Sequence, residues 1–145
     1  MRNRDRARAT FANVARSNPD EQWWLQPDER ILHHARTSAK YQYVDSMVRK
    51  GFPGMFFVTD RRFVASNNRA AKKRRLPMDV PLDRLQDVQV VNVVKVRRSS
   101  YRAWFGKRLL RLDIDHKGRH LVIAVVLPEA EANRWAETLG ERPTD

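Results

Sequence analysis

A strict two-residue alternation near the C-terminus constrains the fold more than any other feature of the chain. In LRLDID, residues 110–115, leucine or isoleucine alternates with arginine or aspartate, and the turn sequence HKGR then leads into the apolar run LVIAVVL, residues 121–127. A period of two places the apolar side chains on one face of a strand, and a short turn joins such strands into an antiparallel hairpin. The sequence therefore predicts an antiparallel β protein.

The other segments extend this pattern to about seven strands and one C-terminal helix. We expect a first strand at 31–39 with 41–48 as its continuation or an excursion, a turn at 51–54, and a hairpin of strands 55–59 and 62–66. A polar basic loop at 67–75 precedes an edge strand at 76–82, a long strand at 88–96 with a bulge after Val91, and a hairpin at 99–106. Pro128, two glutamates and Gly140 mark the start and end of the helix.

The length of 145 residues fits one domain with tails. We assign 1–18 as a basic N-terminal arm or frayed helix, 19–140 as the domain and 141–145 as a C-terminal tail. The chain has no cysteine, no secretory signal and no apolar stretch approaching the ~20 residues that cross a bilayer. We therefore expect a cytoplasmic protein, peripheral at the inner face of the membrane if it binds lipid.

Positive charge is both large and concentrated. The chain has 29 Lys and Arg against 17 Asp and Glu, a net charge of +12. Residues 61–75 include seven basic residues and no acidic one, and residues 95–119 include nine basic and two acidic residues. Such a field favours an anionic membrane surface, an acidic protein or a nucleic acid as the partner.

Four stretches together resemble the pleckstrin-homology (PH) superfold, specifically its bacterial PH and GRAM-like families. They are LQPDERIL at 25–32, GMFFVTDRRF at 54–63, VPLDRLQDV at 80–88 and the final segment 128–139 with Trp135. The resemblance implies a mainly β, PH-like small antiparallel barrel capped by a C-terminal helix. It also implies a binding module for lipid or protein, and not an enzyme.

In many eukaryotic PH domains, loops near the first hairpins gather basic side chains around an inositol phosphate. By that resemblance the candidate anion-binding residues are Arg49, Lys50, Arg61, Arg62, Arg69, Lys72, Lys73, Arg74 and Arg75. Arg61 and Arg62 would lie at the rim of the 54–63 hairpin, either displayed to a ligand or paired with surface carboxylates.

Four aromatic residues are candidates for a binding interface: Phe52, Tyr101, Trp104 and Phe105. Phe52 or the pair at 104–105 could enter a membrane interface, and Tyr101, Trp104 or Phe105 could stack on nucleic-acid bases. Core packing explains the same aromatic residues. A third alternative is a homo-oligomer or adaptor that uses the edge strand at 76–82 or the helix groove.

No catalytic constellation is visible. His33 and His34 are neighbours that point to opposite faces of a strand, and the turn at 51–54 lacks the Gly-Lys-Ser/Thr of a phosphate-binding loop. Asp113 and Asp115 share one strand face, where we expect them to keep that face wet. We therefore expect no enzyme activity, no metal and no cofactor.

Overall fold

A seven-stranded antiparallel sheet forms the body of the protein in a computed structural model, which describes residues 22–96, 99–102 and 106–140, with 93–96 and 99–102 described by backbone alone. The strands are β1 Ile31–Tyr43, β2 Lys50–Thr59, β3 Arg62–Ser66, β4 Met78–Pro81, β5 Leu85–Val91, β6 Val93–Val96, β7 Ser99–Arg102, β8 Lys107–His116 and β9 Arg119–Pro128. The α-helices are α1, Asn68–Lys73, and α2, Glu129–Gly140.

The strand order shows that the sheet is strongly curled. The order is β4-β3-β2-β1-β9-β8-β5, so β4 and β5 are its two edges, while β6 and β7 pair separately. Only a three-residue 3-10 helix, Leu82–Arg84, connects these edges, and the N–H of Leu82 donates to the carbonyl oxygen of Arg61. The edges must therefore approach each other as in a half-barrel. The predicted mainly β fold of seven antiparallel strands with a C-terminal helix is confirmed.

The concave face of the sheet holds the main core. Alternate residues of the strands, such as Phe56, Phe63 and Leu112, are fully buried there. Helix α2 packs against β5, β8 and β9 and contributes Trp135 and Leu139, both with no exposed surface. Because α2 supplies the large apolar side chains that the curled sheet needs, it closes the core as the sequence predicts.

A second apolar cluster lies on the outer face of β2 and β3. Trp24 is buried there against Phe57, with ring centroids 5.1 Å apart, and Met55 and Val64 complete the cluster. Trp24 belongs to the segment 22–30, which therefore packs on the back of the sheet. This packing brings the stretch LQPDERIL close to the hairpin GMFFVTDRRF.

The expected turn at 51–54 is wrong, because this segment is the first half of β2. β1 continues unbroken to Tyr43, and Ser38 of β1 lies opposite Pro53 of β2. On its other side β2 pairs with β3 only from Met55 onward, so Pro53 lies on a free edge. Proline is tolerated there because its missing N–H has no partner strand to bond.

Two further segments differ from expectation. The predicted loop at 67–75 contains helix α1, and the predicted strand at 88–96 is divided into β5 and β6. β5 pairs with β8 as far as Val91 and Leu109, and β8 begins at Lys107, so only two residues of β8 remain beyond the last pair. The irregularity of β5 lies between Leu85 and Asp87, not after Val91.

Candidate functional site

Three connections lie at one end of the sheet, here called the loop end. They are the β1–β2 connection at 44–49, the β3–β4 connection at 67–77 and the β8–β9 turn at 117–118. These connections lie toward the same end of the sheet, because each follows a strand that runs in the same direction. The connection at 67–77 begins further from the tip, because Ser66 at the end of β3 lies opposite Met55, five residues along β2 from Lys50. The loop end therefore includes seven of the nine candidate residues: Arg49, Lys50, Arg69, Lys72, Lys73, Arg74 and Arg75.

Helix α1 gives the basic segment a fixed shape. The Asn67 side chain caps its start by accepting from the N–H of Ala70 at 2.8 Å, and Ala70 and Ala71 are buried against the domain. Arg74 ends the helix in a left-handed conformation, with φ 50°. Because one face is anchored and both ends are capped, the basic side chains of the opposite face are held outward.

The α1 basic cluster consists of the exposed residues Arg69, Lys72, Lys73 and Arg75. Within the described part of the chain, none of these four side chains forms an ion pair or a side-chain hydrogen bond. Arg74 differs, because its guanidinium lies 5.7 Å from the ring centroid of Trp23. Among the described residues, the four cations of the cluster therefore have no carboxylate partner.

An open pocket of about 470 Å³ lies between α1 and the β1–β2 ribbon. It is lined by Arg36, Thr37, Pro53, Gly54 and residues 67–69. Gly54 is required by the close approach of β3, because a Cβ at this position would lie 2.6 Å from the carbonyl oxygen of Ser66. The pocket therefore lies between Arg36 of β1 and Arg69 of α1.

The β1–β2 connection presents apolar side chains that the sequence reasoning did not single out. Val44, Met47 and Val48 are 56%, 70% and 60% exposed, and they are followed by Arg49 and Lys50. The sequence signal for this exposed group was a set of apolar residues interspersed with polar residues at 44–48, directly before two basic residues. It was missed because the segment was interpreted as a strand or an excursion of uncertain course.

Arg62 lies away from the loop end and is engaged within the domain. Its Nε and Nη2 donate to the two carboxylate oxygens of Glu29, each at 2.9 Å, and Nη2 also donates to the carbonyl oxygen of Trp24 at 2.7 Å. Its Nη1 donates to Asp79 at 3.1 Å. The two alternatives for Arg62 were display to a ligand and pairing with carboxylates, and the structure shows the pairing.

Thr59 completes this network inside the β2–β3 hairpin. Its hydroxyl donates to Glu29 at 2.6 Å and accepts from the N–H groups of Arg61 and Arg62, each at 3.0 Å. Burial would raise the pKa of Glu29, but hydrogen bonds from Arg62 and Thr59 outweigh it and hold the pKa below its usual value. The Arg61 side chain donates to Gln26 and is otherwise at the surface.

Of the four aromatic candidates, only the side chain of Phe52 is among those that the structure describes. Phe52 is half-buried and packs edge to face on Phe56 of the core, with centroids 5.8 Å apart. Tyr101 is on β7, where only the backbone is described, and Trp104 and Phe105 lie outside the described residues. The proposed arm at 1–18 and tail at 141–145 also lie outside them.

Asp113 does not keep its strand face wet as expected, because it is 7% exposed. Arg111 donates two hydrogen bonds to its carboxylate, and His120 Nε2 lies 2.6 Å from Oδ1. Burial would raise the pKa of Asp113, but these partners lower it. In the described part of the chain, no three His, Asp or Glu side chains are grouped as metal ligands would be.

Neither α1 nor α2 has the length and apolar character that a bilayer-crossing helix needs, among the residues described.

Comparison with known proteins gives a family and two similar folds. A family model described as a bacterial PH domain matches residues 25–138. The solved Vps36 N-terminal PH domain is similar with a TM-score of 0.47 and 15% identity, covering 80% of this chain and 83% of that one. A complex of PDZ-RhoGEF DH/PH domains with activated RhoA gives a TM-score of 0.43 and 14% identity over 97% of this chain. The chain spans 39% of the length of that second protein.

No curated protein matches the sequence. The family match covers most of the chain and contains all of the quoted motif stretches except the end of the last one. The chain therefore belongs to the bacterial PH domain family.

Proposed function

We propose that this PH domain is a non-catalytic binding module that docks by its loop end on an anionic membrane surface, at the inner face of the membrane. The observation that carries the proposal is the α1 basic cluster, in which Arg69, Lys72 and Lys73 are exposed on a capped helix and the exposed Arg75 follows its end. The PH fold commonly mediates binding of lipids or proteins, and the charge of this surface favours anionic partners.

The basic residues of the protein are not equally available to a partner. Many arginines outside α1 are paired with carboxylates of the same chain: Arg62, Arg84, Arg108, Arg111, Arg119 and Arg134. An internal pair cancels most of the field that a distant anion would feel. The unpaired α1 basic cluster therefore contributes more to external binding than its share of the +12 net charge indicates.

The expected binding is weak and reversible. A Lys or Arg near an anionic leaflet contributes about 1 kcal/mol, so the four residues of the cluster with Lys50 contribute about 5 kcal/mol. This attraction decreases with salt, since the Debye length is about 8 Å at physiological ionic strength. We expect docking that depends on local lipid charge and reverses when that charge is removed.

The test is co-sedimentation with vesicles of phosphatidylcholine alone and of phosphatidylcholine with an equal share of phosphatidylglycerol. The test variant is Lys72→Gln/Lys73→Gln, and the matched control is Arg30→Gln/Lys107→Gln at the opposite end of the sheet. Both variants lower the net charge from +12 to +10, because each removes two cations. Arg30 precedes the first residue of β1, and Lys107 is the first residue of β8.

We expect the wild type and the control to bind the anionic vesicles and the α1 variant to lose most of this binding. Equal losses in the two variants would reduce the effect to net charge and contradict a specific docking surface. If the protein ignores anionic vesicles, the proposal fails. A salt-sensitive complex with single-stranded oligonucleotide, or with an acidic protein, that the α1 variant weakens would then assign the cluster to that partner.

A further inference from the structure

The β1–β2 connection offers a second, chemically different means of binding at the loop end. Among the described residues, four large hydrophobic side chains are exposed, and three of them, Val44, Met47 and Val48, are in this short connection. Single exposed apolar residues are common on protein surfaces, but a group at the tip of one connection is not. Here these three residues are called the apolar tip.

Three of the six backbone N–H groups of residues 44–49 donate to internal partners. The N–H of Val44 donates to the carbonyl oxygen of His120 at 2.9 Å, and the N–H of Ser46 donates to that of Tyr43 at 3.0 Å. The N–H of Val48 donates to the Ser46 hydroxyl at 3.1 Å. Because these three donors already have partners, their transfer out of water does not leave them unpaired.

The carbonyl oxygen of Ser46 is also satisfied, since it accepts from the Gln42 side chain at 2.6 Å. The carboxylate of the connection, Asp45, forms an ion pair with Arg119 at 2.7 Å, and this hydrogen bond lowers the pKa of Asp45. The pair offsets the one negative charge in residues 44–49. The connection therefore presents no net repulsion toward an anionic surface.

Exposed basic residues flank the apolar tip. Lys50 follows Val48 by two residues, and Lys117 is in the neighbouring β8–β9 turn, whereas Arg49 is half-buried and its Nη1 atom is enclosed by the protein. Apolar side chains flanked by cations match the interface of an anionic bilayer, where the acyl boundary takes the apolar groups and the headgroups pair with the cations. Charge complementarity thus favours a membrane over an apolar groove on another protein.

From these observations we propose that the apolar tip inserts into the acyl–headgroup boundary of an anionic membrane when the loop end docks. The inference rests on the proposed function and deepens it, because it adds a component of binding that salt does not screen. Electrostatic attraction by the α1 basic cluster brings the loop end to the bilayer. Insertion of Met47 and Val48 then holds it there.

The test uses the absence of cysteine in the chain to place one fluorescent label. Met47→Cys carries an environment-sensitive nitrobenzoxadiazole group, and Asp28→Cys, exposed near the start of β1, carries the same label as the control. On vesicles of phosphatidylcholine and phosphatidylglycerol, we expect a blue shift at position 47 and quenching by brominated acyl chains. We expect neither change at position 28.

A second pair of variants measures the contribution to binding. Met47→Ser/Val48→Ser is expected to lower the vesicle partition coefficient about tenfold and to remove the binding that remains at high salt. Leu32→Ser removes the fourth exposed hydrophobic side chain, at the opposite end of the sheet. This variant is expected to leave the partition coefficient and the binding at high salt unchanged. All three substituted side chains are exposed, so thermal melting should show intact folding.

The outcomes separate the two proposals. If the labelled protein co-sediments but the label at position 47 remains in water, insertion is refuted while docking by the α1 basic cluster stands. If the protein does not bind anionic vesicles, both proposals fail. Recovery of a protein partner whose binding depends on Met47, with no spectral change on vesicles, would also overturn the membrane assignment.

Discussion

Replacement of Arg62 by alanine should destabilise the domain far more than replacement of the neighbouring Arg61. The Glu29 side chain, the main partner of Arg62, has no exposed surface, and the Arg62 side chain is 13% exposed. Removing one member of a buried ion pair leaves an uncompensated charge and typically costs about 3–5 kcal/mol. Asp79, the other carboxylate, is 43% exposed, so its lost pairing adds at most about 1 kcal/mol.

Urea unfolding followed by tryptophan fluorescence measures this loss, because Trp24 contacts Arg62 directly. The control, Arg61→Ala, removes one exposed hydrogen bond to Gln26 and should cost less than about 1 kcal/mol. Equal losses in the two variants would refute the interpretation of Arg62 as a buried structural residue.

A double-mutant cycle isolates the Glu29–Arg62 interaction from other effects of the substitutions. Glu29→Gln/Arg62→Met should lose less stability than the sum of its single substitutions, with a coupling energy of about 1–3 kcal/mol. The cost of Arg62→Ala should also decrease in acid, because a protonated Glu29 no longer carries an unpaired charge. A cost that is independent of pH would contradict the ion-pair explanation.

Three further outcomes are expected from the same structure. The pKa values of Glu29 and Asp113 are lowered in the folded protein. The stability that these two carboxylates contribute is therefore complete above their usual pKa values of 4.5 and 3.8, and it is lost as the pH falls through their folded pKa values. Urea unfolding midpoints measured across that pH range would show this loss. Gly54→Ala should lower the melting temperature, at a cost of about 1–3 kcal/mol, because its Cβ would clash with the backbone of Ser66. Asn67→Ala should cost about 1 kcal/mol in urea unfolding by removing the α1 cap.

Matched controls exist for the two backbone predictions. Gly51→Ala should be nearly neutral, because the nearest atom to its Cβ would be the mobile Lys40 Nζ at 3.6 Å. Asn68→Ala, one residue beyond the cap, should leave α1 intact, since only Asn67 accepts from the Ala70 N–H. If the control and the test variant of either pair behave alike, the assigned contact does not explain the effect.

Periodicity was sufficient to predict the sheet. The alternation at 110–115 and the apolar run at 121–127 correspond to β8 and β9, since each pattern reflects burial of one or both faces of a strand. Helix α2 was predicted from Pro128, the two glutamates and Gly140 for the same local reasons. Such signals depend only on residues that are close together in the sequence.

Features that depend on distant pairing were not predictable in the same way. Pro53 and Gly54 indicated a turn, and only the limited pairing of β3 shows that this segment is an edge of β2. The role of Arg62 required the position of Glu29, 33 residues earlier in the chain. Local sequence gives the residue types of a network, but the tertiary fold decides which of them meet.

The candidate site was predicted in composition and only partly in geometry. The basic residues of 69–75 were identified by their charge, whereas their display on a helix depends on burial of Ala70 and Ala71 against the sheet. The shared location of this segment and the β1–β2 connection follows from strand order, which no local pattern encodes. The apolar tip was missed because exposure cannot be read from residue type alone.

The most direct test of the central claim is the equilibrium partition of the nuclease-treated wild type between buffer and vesicles of increasing phosphatidylglycerol content, at near-physiological salt. Docking by the loop end predicts negligible binding to phosphatidylcholine alone and a steep rise with anionic lipid. Binding that is absent throughout, or equal on neutral and anionic vesicles, would contradict the claim that this basic surface recognises an anionic membrane.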